Sequence, residues 1–356
     1  MEKPKVRISV RNLVEFILRS GDLDNSRGSS GDKEAMLKGG RLHRKIQRSM
    51  KGNYQAEVSL KRESEYEDVI IQVEGRADGI FTEDGEFWID EIKGTYGNLQ
   101  AMEVPVPVHR AQAMCYGWIY GEKEGLSQIG IQMTYSHLDT EDTRRFREIF
   151  SMEELKKWYQ ELLDAYHKWI AYSLSWKKER NASMTDLQFP FPYREGQREI
   201  VSGVYHTVSS KKTLFVQAPT GVGKTMSAIF PSVRAIGEGK GETLFYLTAK
   251  TITGTVAWEA FHTLRENGLK FKVTAITAKE KLCFLDSPEC TPEKCPYAKG
   301  HFDRVNDAVY ELWTTEEVYS REVIRAHAEK WQVCPFEMCL DLSVWVDGVI
   351  CDRSEE

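Results

Sequence analysis

Four groups of residues have the types and spacings that chemistry requires. The first is Ala218-Pro-Thr220-Gly221-Val222-Gly223-Lys224-Thr225. Glycines at 221 and 223 let the backbone curl so that N–H groups, including those of Thr220 and Val222, converge on one phosphate. The N-terminus of a following helix adds its dipole. Lys224 would reach the β- and γ-phosphates, and the Thr225 hydroxyl would hold Mg²⁺. An apolar run, Thr213–Gln217, precedes the loop, and Met226–Phe230 continues it in a helix-compatible way. Strand, glycine loop and helix is the order that a nucleoside-triphosphate cradle needs, and a bare glycine turn would not need the Lys-Thr pair.

The second group is Asp78 with Glu91-Ile92-Lys93. Residues 91 and 93 are two apart on a strand-like run, so both side chains leave one face. Asp78, on the preceding strand of a hairpin, can arrive beside them. Two carboxylates make an oxygen-rich pocket for Mg²⁺ or Mn²⁺, which lowers the pKa of a bound water while Lys93 positions the nucleophile. Asp90 points to the opposite face and is the alternative ligand. Taken alone, Asp…Glu-x-Lys is usually a solvated strand face. The third group is Cys283, Cys290, Cys295 and Cys334, with six, four and 38 residues between them. Four thiolates serve zinc or an iron–sulfur cluster, but the spacing lacks the two close pairs of a zinc ribbon. Cys339 is the substitute ligand. The fourth is Val344-Trp-Val-Asp-Gly-Val-Ile-Cys-Asp352, an apolar run ending in an acid that would hold the nucleotide's Mg²⁺.

The elements that must position these groups are legible in outline. Ser9 caps an amphipathic helix through Leu18, and Lys33–Met50 reads as a second helix. Strands are expected over Tyr54–Leu60, Val69–Phe81, Phe87–Lys93 and Gln128–Tyr135, with a helix over His109–Tyr120. Ser151 and Glu154 form a capping box for a long helix reaching about Arg180. Its aromatic stripe packs one domain on another more readily than it tracks DNA. Leu244–Thr248 and Val273–Thr277 read as buried strands of a second sheet, with Thr248, Lys250 and Thr251 as nucleic-acid backbone contacts at a strand end.

Composition sets the frame. A chain of 356 residues, 41% hydrophobic and 29% charged, describes an ordinary soluble globular protein long enough for two domains. No apolar run approaches a membrane span and no signal-peptide core opens the chain, so a cytoplasmic protein is expected. The net charge of −6 does not advertise nucleic acid, although a local basic groove would suffice. Six of the seven cysteines fall between 283 and 351, a clustering that in a reducing compartment favours metal over disulfides.

Residues 1–135 resemble the RecB-like branch of the PD-(D/E)XK nucleases. Gly39-x-x-x-His43, Asp78, Glu91-x-Lys93 and Gln112-x-x-x-Tyr116 stand in that family's order, and Gln112 and Tyr116 share one helical face. The resemblance implies a restriction-endonuclease-like α/β fold and a metal-dependent DNase, with His43, Asp78, Glu91, Lys93, Gln112 and Tyr116 around the metal. Residues 187–356, beyond a helical connector at 136–186, resemble the first RecA-like motor domain of the DinG/XPD iron–sulfur helicases of superfamily 2. That implies adenine reading by Tyr193 and Gln197, and a cysteine-rich insertion at about 279–340 holding a 4Fe–4S cluster, with zinc as the alternative. Lys279, Lys281, Lys294, Lys299 and Arg304 would give the insertion a basic surface. The expected protein is an ATP-dependent DNA helicase and nuclease acting in DNA repair on single-stranded DNA or single-stranded ends. Arg353-Ser-Glu-Glu356 departs from the family pattern, suggesting a truncated or frameshifted chain that does not unwind alone, or a separately encoded second motor domain. A non-catalytic DNA-binding module and a zinc-stabilised P-loop ATPase are the alternatives.

Overall fold

Ser9 starts the fold by ending one element and capping the next. Its backbone closes strand β1 (Lys5–Ser9), and its hydroxyl accepts the Asn12 amide at 3.0 Å to open helix α1 (Val10–Ile17). This computed structural model describes residues 3–25, 33–50, 52–249 and 251–352, and the chain divides into two compact units. The first comprises residues up to Arg19 and Asn25–Ala171; the second comprises Ser20–Asp24 and the chain from Tyr172 onward.

In the first unit, α1 is followed by α2 (Lys33–Ser49) and the strands β2 (Gln55–Glu65), β3 (Ile70–Glu83) and β4 (Glu86–Thr95). Next come α3 (Pro107–Glu124), β5 (Gln128–His137), β6 (Thr143–Ser151) and α4 (Met152–Thr185), whose residues through Ala171 belong here. Asp84 and Gly85 both adopt positive φ, which a tight β3–β4 hairpin turn requires. The sheet order is β1-β3-β4-β5-β6, with β2 also on β3. The long β3 is lined by β2 along one edge. Its other edge is shared by parallel β1, over Ile70–Glu74, and antiparallel β4, over Gly79–Glu83. β4 and β5 run parallel, with Lys93 opposite Tyr135. The expected strands are present but longer, and β1 and β6 add two that the sequence pattern did not disclose.

The second unit runs α5 (Gln197–Ser209), α6 (Lys224–Gly237), β7 (Leu244–Thr248), α7 (Thr251–Glu266), β8 (Val273–Ile276) and α8 (Lys279–Leu282). It continues with α9 (His301–Thr315), β9 (Val318–Tyr319), α10 (Arg321–Trp331), α11 (Pro335–Ser343) and β10 (Gly348–Asp352). Its described sheet is parallel, in the order β7-β10-β8-β9. Its core joins Met226, Ile229 and Val233 of α6 to Phe261 and Leu264 of α7, with Phe271 and Ile350. Three expectations need correction. The run Thr213–Gln217 pairs with no strand among the described residues, and Phe215 is 92% exposed. β7 is an edge strand with Phe245 61% exposed, so it is not the buried strand that its apolar composition suggests. The last strand begins at Gly348 rather than Val344, because Asp347 is drawn into a buried polar knot before it. There Asp347 takes Arg180 at 2.7 Å, the Trp176 indole at 2.8 Å and the Lys272 amide at 2.8 Å.

No helix among the described residues is long and apolar enough to cross a membrane.

Candidate functional site

The carboxylate cluster of the first unit is built around the point where β3 and β4 part. The β3–β4 ladder pairs Gly79 with Asp90 and then opens. Asp78 and Glu91 are the next residues, and the Asp78 carboxylate turns onto the departing strand to accept the Ile92 amide at 2.7 Å. On the other side of β3, the β2 ladder skips the Glu57–Asp78 pair, and Glu57 takes a left-handed backbone. The Asp78 carbonyl is instead bonded by the Gln47 side chain of α2 at 2.9 Å. His43, also on α2, places Nδ1 3.7 Å from Asp78 Oδ1. Helix α2 therefore holds Asp78 by its main chain and faces its carboxylate.

Glu91 is buried, and its Oε1 pairs with Lys93 Nζ at 2.8 Å. Lys93 also donates to Gln112 Oε1 at 3.0 Å, and Tyr116 follows Gln112 one turn later on the same face of α3. Tyr116 lies against Gly75 of β3, where an added Cβ would come within 2.7 Å of its hydroxyl. His43, Asp78, Glu91, Lys93, Gln112 and Tyr116 are thus brought together from two helices and two strands. Asp90 points to the opposite face, where Thr134 (2.6 Å), Gln132 (3.0 Å) and Tyr54 (3.1 Å) satisfy it. That leaves the alternative ligand fully committed to a structural role.

The electrostatics centre on Glu91. Burial, then the neighbouring Asp78, pushes the Glu91 carboxyl up to about 8, against the opposing pull of Lys93. Glu91 Oε2 is buried and has no hydrogen-bond partner among the described residues. A divalent cation would satisfy that oxygen and relieve the repulsion, so the donor set fits a hard ion that keeps several waters. Among the described residues, no group of three or more His, Cys, Asp or Glu side chains converges to hold an ion unaided. Gln47, Glu57 and Tyr54 were not foreseen, because none carries a motif; only the skipped ladder pair reveals the first two.

In the second unit, Gly221 and Gly223 have φ of +85° and +80°, a conformation that side chains rarely adopt. Gly223 opens α6, and Lys224 Nζ lies over the loop, donating to the carbonyls of Ala218 at 3.1 Å and Pro219 at 2.8 Å. Thr220 and Val222 lie within the turn, and the Thr225 hydroxyl sits 3.4 Å from that of Tyr246. Buried Gln197 packs under the loop: a Cβ on Gly223 would meet its Nε2 at 2.6 Å, while its Oε1 accepts the Arg194 amide at 3.0 Å. Tyr193 stacks on Phe189 with centroids 4.4 Å apart and carries Arg198 over its ring. The backbone of Asp352 lies beside Thr248 of β7. The Asp352 and Thr251 side chains, Lys250 and the tail Arg353–Glu356 lie outside the described residues. Thr248 lines a cavity of about 420 Å³ at the strand ends, with Trp258, Thr277, Lys281 and Glu322 among its walls.

Cys283, Cys290, Cys295 and Cys334 line one small pocket with Leu23, Leu285 and Tyr297, and none is in a disulfide. The loop segment at Ser20–Asp24 reaches this pocket by backbone bonding: Leu23 N–H to Ala298 at 2.8 Å, and Phe302 N–H to Gly21 at 3.0 Å. Burial pushes the Cys334 thiol up to about 11. Cys339 lies elsewhere, buried beside Thr274 of β8 at 3.6 Å, and does not line the pocket. The basic set is largely spent locally. Lys279 pairs with Glu337, Lys294 with Glu289, and Arg304 donates to the carbonyls of Lys299, Trp331 and Gln332.

No family model matches the chain. A stretch of 47 residues, 13% of the chain, is 40% identical to a probable ATP-dependent helicase of Methanocaldococcus jannaschii, of which it spans 7%. The crystal structure of SSO0001 is 20% identical with a TM-score of 0.30, covering 46% of this chain and 78% of that one.

Proposed function

We propose that the chain is a DNA-processing protein of the ATP-dependent helicase kind, whose first unit is a metal-dependent nuclease and whose second unit binds ATP. The observation that carries the nuclease reading is the buried, unpartnered Glu91 Oε2 next to Asp78, with Lys93 on the other oxygen. Glu91 and Asp78 would hold Mg²⁺ or Mn²⁺; when bound, such an ion supplies a water of lowered pKa and charge for the developing pentavalent phosphate. Lys93 holds the attacking water and neutralises a phosphate oxygen. Gln112 fixes Lys93 through its 3.0 Å bond, and Tyr116 sits one turn beyond Gln112 on the same helical face. His43 and Gln47 hold Asp78 in register with Glu91.

In the second unit the left-handed glycines and Lys224 support ATP binding, with Tyr193 and Gln197 at the adenine and Thr225 and Asp352 as the Mg²⁺ ligands. The reading of the four thiols as ligands of a 4Fe–4S cluster is supported by their lining one apolar pocket. The substrate class is DNA, single-stranded or with single-stranded ends.

Purified full chain, a labelled single-stranded oligodeoxynucleotide and Mg²⁺ or Mn²⁺ test the nuclease reading. Cutting is expected to need the metal and to vanish in Glu91→Ala and Lys93→Ala; undiminished cutting in both variants removes it. Iron, zinc and acid-labile sulfide measured on anaerobically purified protein distinguish the cluster from zinc.

A further inference from the structure

His109 lies on the carboxylate-facing side of α3, in phase with the two residues already placed there. Positions 109, 112 and 116 are three and four apart, so they stack on one helical face. Across from that face, parallel register sets Tyr135 of β5 beside Lys93 of β4, and both side chains leave the same side of the sheet.

The Tyr135 hydroxyl joins these elements and fixes a proton. It is buried, and it accepts the Val106 amide at 2.9 Å. The other polar atom bonded to it among the described residues is His109 Nδ1, at 3.2 Å. An amide N–H cannot accept, so of these two partners only Nδ1 can take the hydroxyl hydrogen. With that bond made, the imidazole proton resides on Nε2. Burial, followed by the cations Lys93 and Arg11, pushes this histidine down to about 4. No described group bonds Nε2, and the residue is half-buried rather than sealed.

We propose that His109 is a substrate-contacting residue of the nuclease site, its Nε2–H donating to a non-bridging oxygen of the phosphodiester held beside Lys93, and that Tyr135 is the positioning residue that sets its tautomer. This rests on the nuclease reading above. No proton is transferred: the neutral ring donates one hydrogen bond and keeps its hydrogen. A neutral donor suits the position, because it grips the phosphate without adding a third cation beside Lys93 and the metal.

The test uses the full chain with a single-stranded oligodeoxynucleotide and Mg²⁺. His109→Ala is expected to lower the cutting rate roughly 10- to 100-fold, the loss of one hydrogen bond to a charged acceptor. His109→Gln, whose amide can still donate, is expected to recover part of it at unchanged melting temperature. Side-chain ¹⁵N resonances of the wild type are expected to show His109 protonated at Nε2 and bare at Nδ1, with Tyr135→Phe mixing the tautomers. A wild-type signal from a protonated Nδ1 overturns the proposal. So does wild-type cutting by His109→Ala while Glu91→Ala is inactive. Full activity in both Glu91→Ala and Lys93→Ala instead sinks the nuclease reading, a distinguishable failure.

Discussion

Cation binding at Asp78 and Glu91 should release a proton, and the amount follows from the structure. Burial and the Asp78 charge raise the Glu91 carboxyl from 4.5 to about 8, so the metal-free site holds a proton at neutral pH. Mg²⁺ needs the carboxylate, so binding must expel it. A carboxyl raised to about 8 is mostly protonated at pH 7 and mostly ionised at pH 9. Calorimetry in buffers of different ionisation enthalpy should therefore report release of most of one proton per ion at pH 7, falling towards zero by pH 9. Apparent affinity should climb about tenfold from pH 6 to 7 and less than about twofold from pH 8 to 9. The sign for stability is fixed by the same shift. The native metal-free state holds more protons than the unfolded one between 4.5 and about 8, so stability falls as pH rises through that window. The loss is on the order of 5 kcal/mol for a group this deeply buried, and saturating Mg²⁺ should cancel most of it. Glu91→Gln removes the titrating proton while keeping the shape, so its proton release should be near zero at every pH. Negligible release from the wild type at pH 7, or release unchanged in Glu91→Gln, would refute the reasoning.

Arg180→Ala leaves the Asp347 carboxylate uncompensated in a site where the two side chains are 4% and 5% exposed. A loss of about 3–5 kcal/mol is expected in the unfolding of the second unit by denaturant. The exposed Lys177–Glu242 pair is the control, with a cost under about 1 kcal/mol for Lys177→Ala. Lys224→Ala should abolish ATP binding in a fluorescent-nucleotide titration while leaving DNA cutting by the first unit intact. Leu23→Ala opens the cysteine pocket and should cost about 2–5 kcal/mol, read as a lower melting temperature with less bound metal. Gly75→Ala places a Cβ 2.7 Å from the Tyr116 hydroxyl, so cutting should fall with the fold retained by circular dichroism.

Where a feature depends on neighbours within a turn or so, the sequence by itself determined it. Ser9 caps α1, and Ser151 with Glu154 forms the reciprocal cap of α4, with bonds of 3.2 Å and 2.9 Å, because each partner is three residues away. Asp84-Gly85 and the 221 and 223 glycines take positive φ because the residue types at those positions favour it. Period-two and period-3.6 patterning located most strands of the first unit, and the helices α1 to α4 and α6, but not α7 to α11. Only tertiary structure decided what arrives from far along the chain. It aligned β1 with β3, skipped the Glu57–Asp78 pair and spent Asp90 on Thr134, Gln132 and Tyr54. It also brought Leu23 to cysteines more than two hundred positions later, and buried Asp347 with Arg180 instead of letting β10 start at Val344. Local propensity is silent on these because each closes a long loop. The closing entropy is offset by burial and hydrogen bonds that exist only once the partner is in place.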